Sequence, residues 1–163
     1  MNAGWLRRGA ALTLLALGLA PPAALAVKQP LRVWEEVYVR VRAGATVQAL
    51  FHVSVDAGYL VVARAVADAA LRPLTLRLKP AAGVQVGDPA YPAPTATASV
   101  DGLPEFRAYE GVVGIRVPVT VPKDAKWTRQ RLEGVLEYQA CTADACTRPA
   151  TLPVAVEIEL RAD

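Results

Sequence analysis

Apolar side chains in this chain recur at every second position, segment after segment. The clearest run lies near the C-terminus, where Leu152, Val154, Val156, Ile158 and Leu160 form one set and Glu157 and Glu159 fall in the other. A period of two assigns the sets to opposite faces of an extended backbone, so each run reads as a strand with one face buried and one wet. A chain built from such runs has to bury them against one another, and that restricts it to sheets packed on sheets.

The remaining runs follow the same rule. Val37, Val39 and Val41 alternate with Tyr38, Arg40 and Arg42, and Val47, Ala49, Phe51, Val53 and Val55 alternate with Gln48, His52 and Ser54. Asp56-Ala57-Gly58 then supplies turn residues, and the apolar run from Tyr59 to Val62 follows at once, which reads as a hairpin. Leu74, Leu76 and Leu78 form a further face, after which the Pro- and Gly-punctuated stretch 80–94 reads as loop or irregular edge. Val113, Ile115, Val117, Val119 and Val121 make the next face, and Pro118, which lacks the ladder N–H, directs that strand to an edge or a bulge. Leu132, Leu136 and Tyr138 lead into Cys141 on another strand. Helical periodicity is weak throughout; the Ala-rich stretch 63–71 fits a turn or two of helix or a continuing strand. Seven or eight short strands between turn signals favour an all-β chain of the sandwich type over a barrel.

The first residues have a different character. Arg7 and Arg8 precede an apolar run from Ala10 to Ala20, followed by Pro21-Pro22 and a small-residue close at Ala24-Leu25-Ala26, the layout of a secretory signal peptide with cleavage expected after Ala26. The run is shorter than the roughly 20 apolar residues a membrane span needs. The expected organisation is a signal peptide over residues 1–26 and one domain over residues 27–163. The signal region holds two of the 18 basic residues and none of the 15 acidic ones, so the exported part is nearly neutral. Its charges alternate in sign and no basic cluster is interleaved with aromatics, which argues against nucleic acid as a partner.

Export places the two cysteines, Cys141 and Cys146, in a compartment where disulfides persist. Two readings stand side by side, a local structural bond and a redox-active one. Closing so short a loop removes only about 2 kcal/mol of unfolded-state entropy, little for a staple. A metal is not expected, because His52 and two thiols do not make a ligand set, and no cofactor is expected. His52, alternating on a strand, has no identifiable partners for hydrolase chemistry.

The segment Leu136-Glu-Tyr-Gln-Ala-Cys141-Thr-Ala-Asp-Ala-Cys146-Thr-Arg-Pro149 resembles the signature of the N-terminal periplasmic domain of the thiol:disulfide interchange protein DsbD family. Phe51-His-Val-Ser-Val-Asp-Ala-Gly-Tyr59 is similar to that family's early strand and Gly-aromatic turn, and Tyr109-Glu-Gly-Val-Val-Gly-Ile-Arg-Val-Pro118 to the strand before the cysteine hairpin. The resemblance implies an immunoglobulin-like β-sandwich acting outside the cytoplasm, in a periplasm or on an external face. Its cysteine pair would relay electrons from a membrane-embedded thiol reductase to thioredoxin-like proteins, making it a component of a protein thiol-disulfide oxidoreductase system. This sequence carries no membrane domain and no Cys-x-x-Cys, so the donor is expected to be a separate polypeptide. Arg148 stands where the family has a proline, with Pro149 in agreement, and Leu60 and Val62 replace aromatics common after the Gly-Tyr turn.

The resemblance assigns Cys146 as the exchanging sulfur and Cys141 as the resolving one. Arg148 favours a thiolate at Cys146 and Asp144 opposes it. Phe106 or Tyr109 is expected to cover the pair from a capping loop, Tyr138 and Gln139 flank it on the incoming strand, and Pro149 shapes the exit. The alternative from another class is an exported, non-enzymatic interaction module whose disulfide only shapes a docking loop. A sandwich that has kept the fold and lost its exchange partner is a third.

Overall fold

The computed structural model describes residues 29–35, 39–63 and 70–161. Among them lie twelve strands and no helix: β1 (Leu31–Glu35), β2 (Val39–Val41), β3 (Thr46–Val55), β4 (Leu60–Val62), β5 (Thr75–Leu78), β6 (Gln85–Val86), β7 (Ala96–Ala98), β8 (Phe106–Tyr109), β9 (Val112–Thr120), β10 (Arg129–Tyr138), β11 (Ala140–Cys141) and β12 (Ala150–Leu160). They form three four-stranded sheets in the orders β1-β3-β9-β6, β2-β12-β10-β5 and β11-β4-β8-β7. Neighbours run antiparallel except β2, which lies parallel to β12 with Val39 opposite Ile158.

The period-two runs bury the faces that their alternation assigns. Phe51 and Val53 on β3 and Ile115, Val117 and Val119 on β9 are fully buried, and Phe51 stands opposite Ile115 in register. From the second sheet Leu132, Leu136, Val156 and Ile158 meet them in one core. This is an immunoglobulin-like β-sandwich, two sheets packed through the apolar faces of their strands. The outer face of the second sheet carries a charge ladder, Arg40 and Arg129 on Glu159, Arg131 on Glu157, and Arg77 on Glu137. Exposed pairs of this kind add little stability but keep the face polar.

The third sheet is two-sided. Its Val61, Tyr109 and Ala140 join the sandwich core, while Val62, Phe106, Ala108 and Cys141 turn to the other side, where they form a second, smaller apolar cluster with Leu71, Ala98 and Val100.

Several sequence expectations need correction. The twelve strands exceed the seven or eight read from periodicity: β6, β7 and β11 are too short to display a period, and β1 and β8, five and four residues long, were not read as strands. Asp56-Ala57-Gly58 does turn the chain, with Tyr59 N–H on Asp56 O at 3.1 Å and Gly58 at φ +84°, yet β3 and β4 are not a hairpin. β3 pairs with β1 and β9, and β4 crosses to the third sheet to pair with β8 and β11. Within the stretch read as loop or irregular edge, Gln85–Val86 is the short edge strand β6 beside β9, in keeping with the edge alternative. Pro118 is therefore not on an edge strand; it pairs with Gln48, and its carbonyl accepts Gly87 N–H at 2.8 Å. Its backbone groups face the outer side, so the missing N–H removes no bond to β3. The strand read from Val37 is described from Val39 onward, and residues 64–69 of the Ala-rich stretch, like the signal peptide, lie outside the described residues. Among the described residues no helix is long and apolar enough to cross a membrane.

Candidate functional site

β10 delivers the chain to the site. After Tyr138 it steps through Gln139 into β11, which adds to the third sheet with Ala140 opposite Val61 and Cys141 opposite Leu60. The chain then reverses. Thr142 N–H donates to Ala145 O at 2.9 Å, and the Thr142 hydroxyl donates to the same carbonyl at 3.2 Å while accepting the N–H groups of Asp144 and Ala145 at 3.4 and 3.3 Å. A threonine side chain that substitutes for missing main-chain bonds is a recurrent way to fix a tight turn. Cys146 returns opposite Cys141, the two Cα atoms 3.9 Å apart, and the sulfurs are bonded.

The two sulfurs differ in surroundings. Cys141 is fully buried in the small cluster, whereas Cys146 is half-buried at its border with Leu60, Ala96 and Leu103. Of the two residues, Cys146 is the one with solvent exposure.

Gln139 locks the hairpin to the rest of the domain. It is the buried polar residue among the described ones, at 7% exposure. Its Oε1 accepts Arg72 N–H at 2.8 Å, its Nε2 donates to Thr147 O at 3.0 Å, and its own carbonyl accepts Val62 N–H at 3.2 Å. Thr147, directly after Cys146, donates its N–H to Ala140 O at 2.7 Å. Both strands of the hairpin are thus tied independently of the sulfur bond.

The other residues singled out from the sequence divide. Phe106 stands in the same small cluster as Cys141, on β8. Tyr109 and Tyr138 lie instead in the sandwich core, and Tyr109 donates its hydroxyl to Pro92 O at 2.9 Å. Burial raises the pKa of both tyrosines, with Tyr91 adding to the rise at Tyr109. Arg148 and Pro149 are exposed on the exit from the hairpin. Thr142, Thr147 and the main chain of Arg72 were not among the residues read from the sequence; the Thr-x-Asp at the turn is the local signal for the first of them. Among the described residues no three His, Cys, Asp or Glu gather as a metal site. The arrangement is a bond between a fully buried cysteine and a half-buried one in a hydrogen-bonded hairpin.

The family profile described as thiol:disulfide interchange protein DsbD, N-terminal, matches residues 28–157. No curated protein matches the chain. Among solved structures, the N-terminal periplasmic domain of ScsB from Proteus mirabilis superposes with a TM-score of 0.50 at 14% identity over 77% of this chain, which places the two in one fold. The chain spans 44% of the length of that one. A family 123 glycoside hydrolase from Clostridium perfringens superposes with a TM-score of 0.40 at 6% identity, covering 82% of this chain and 27% of the hydrolase. AggA, the major subunit of aggregative adherence fimbriae type I from Escherichia coli, gives 0.37 at 9% identity, covering 81% and 95%.

Proposed function

This chain belongs to the family of the N-terminal domain of the thiol:disulfide interchange protein DsbD, and from that premise we propose that it is an extracytoplasmic thiol-disulfide exchange domain working through Cys141 and Cys146. In this reading residues 1–26 are removed on export to the periplasm. A separate membrane-embedded thiol reductase supplies the electrons, and thioredoxin-like proteins receive them.

The carrying observation is the asymmetry of the two sulfurs, Cys141 enclosed and Cys146 at the border of the cluster. Exchange needs one accessible sulfur to form a mixed disulfide and one held in reserve to resolve it. The Cys146 thiolate attacks one sulfur of the partner's disulfide, and the partner's other sulfur departs as a thiolate with the electron pair of the broken bond. Cys141, deprotonated, then attacks Cys146 Sγ and expels the partner's first cysteine as a thiolate. The partner gains two electrons and two thiols, and the Cys141–Cys146 bond is restored. Because Thr142, Thr147 and Gln139 tie the hairpin without the sulfur bond, the reduced pair stays close enough to resolve.

The test is the reduction potential of the purified domain, equilibrated in glutathione or dithiothreitol buffers, with alkylation of the reduced form followed cysteine by cysteine. A potential between roughly −180 and −270 mV, with Cys146 alkylated first, supports exchange. A value well below about −300 mV, or reduction only on unfolding, identifies a structural bond and favours the interaction-module reading.

A further inference from the structure

The charge ladder on the outer face of the second sheet breaks at its last rung. Along that face Arg77 meets Glu137, Arg131 meets Glu157, and Arg40 and Arg129 share Glu159. Alternation puts Arg42 on the face of Arg40, and Arg161 on the face of Glu159. β2 lies parallel to β12 with Arg40 beside Glu159, and the Arg161 N–H on Val41 O at 2.9 Å carries the pairing past Leu160. The next rung is therefore Arg42 beside Arg161, two cations with no acid between them. Both residues are exposed, and among the described residues neither guanidinium has a partner. Like charges set opposite each other destabilise a sheet, so this rung costs stability while nothing neutralises it.

The rung borders a hollow. Arg40, Arg42 and Arg161 line a depression of about 310 Å³ together with Thr46 and Val47 of β3. Ala45 O accepts the N–H of Val121, directly after β9, so alternation turns the Thr46 N–H to the opposite side of β3. β1 pairs with β3 from Phe51 to Val55, so it does not cover Thr46 there. Two guanidinium forks at strand spacing, a third arginine and a main-chain N–H offer converging donors to a compact anion. A phosphate group, with three acceptor oxygens and close to two charges, matches that set, and guanidinium binds it bidentately.

We propose that the Arg42–Arg161 rung is a binding site for a phosphate group, with Arg40 and the Thr46 N–H at its border. The site is remote from the sulfurs. β10 and β12 pair from Arg129 beside Glu159 to Tyr138 beside Ala150, which separates this corner from the cysteine hairpin by about 30 Å. A phosphate bound here leaves both cysteines uncovered, and a headgroup phosphate would seat the domain with its hairpin turned away from the lipid surface. The inference stands independently of the exchange reading.

The experiment titrates inorganic phosphate into the purified, isotope-labelled chain at constant ionic strength in chloride and follows the main-chain amides by NMR. Saturable shifts confined to residues 40–46 and Arg161 are expected. Arg42→Gln and Arg161→Gln should each weaken binding about ten-fold or more, and Arg131→Gln should leave it unchanged. Arg161→Glu completes the ladder, so it should raise the urea midpoint in phosphate-free buffer and abolish the shifts. Vesicles distinguish the source of the phosphate. Co-sedimentation with phosphatidylglycerol but not phosphatidylcholine vesicles, lost in Arg161→Gln, assigns a lipid headgroup; saturable phosphate binding without co-sedimentation assigns free phosphate. Shifts that do not saturate, or that persist unchanged in Arg42→Gln and Arg161→Gln, overturn the site. A corner that does not respond to phosphate or to vesicles, as when Asp163 after Arg161 already neutralises it, overturns it too.

Discussion

Replacing Gln139 by leucine tests how the cysteine hairpin is held. The substitution keeps most of the side-chain volume and removes both amide contacts, leaving Arg72 N–H without its acceptor and Thr147 O without its donor. Stranding a buried donor costs about 1–3 kcal/mol, and a bond whose acceptor can turn to water costs about 0.5–1.5 kcal/mol. Arg72 and Thr147 are both exposed residues and both contacts are part-buried; the larger figure is the ceiling for the Arg72 N–H, which has no second site to offer, and the smaller applies to the Thr147 carbonyl, whose other lone pair stays open to water. Better burial of the leucine returns part of this, about 1 kcal/mol. The expected net loss is about 0.5–3.5 kcal/mol, read by urea unfolding of the oxidised chain as a midpoint about 0.3–1.8 M lower for a slope near 2 kcal/mol/M. Gln139→Glu separates the two contacts. The carboxyl can still accept Arg72 N–H, but only its protonated form can donate to the Thr147 carbonyl, so its pKa in the fold is raised above the unfolded value of about 4.3. A raised pKa contributes stability that is fully present below the unfolded value and is lost as pH rises through the folded one. The Glu variant should approach the parent's stability near pH 4 and fall away toward neutrality. A Leu variant within about 0.5 kcal/mol of the parent, or a Glu variant whose deficit does not change with pH, refutes the claim that this amide ties the hairpin down.

Gly134→Ala tests the close approach of β10 to β5. A Cβ there would collide with the Arg77 carbonyl oxygen and come within 2.8 Å of Leu78 Cδ2, so a loss of about 1–3 kcal/mol is expected, and calorimetry showing an unchanged Tm contradicts it. Tyr109→Phe removes the donor to Pro92 O and should cost about 1 kcal/mol at neutral pH. Burial, and then Tyr91, raise the Tyr109 pKa in the fold. The parent therefore holds this contribution in full below about pH 10 and loses it as pH rises through the higher folded value. Unfolding free energies measured across that range should fall less steeply for the variant, and parallel curves count against the buried phenol.

What was legible in the sequence was parity. Alternation assigned the buried faces of Phe51, Ile115, Leu136 and Ile158 because it depends only on the chain's own geometry. It says nothing about which strand lies alongside, so the turn at Asp56-Ala57-Gly58 was found and its consequence, the crossing into the third sheet, was not. Parity applied more strictly separates Phe106 from Tyr109: residues three apart on β8 point to opposite faces, one to the cysteine cluster and the other to the sandwich core. At the site, the spacing of the cysteines was legible because it is local. The partner of Gln139 was not, because Arg72 lies 67 residues away in sequence.

The two faces of the third sheet assign different labours to different side chains. Val61, Tyr109 and Ala140 belong to the large core, whose integrity carries the fold, while the enclosed sulfur of Cys141 is walled by a handful of residues around Leu71, Val100 and Phe106. Uncovering that sulfur requires parting only this outer layer, a local opening far smaller than global unfolding. Mutations in the outer layer and in the sandwich should therefore segregate into two phenotypic classes, one altering both sulfur reactivity and melting temperature and the other altering melting temperature with little change at the sulfur.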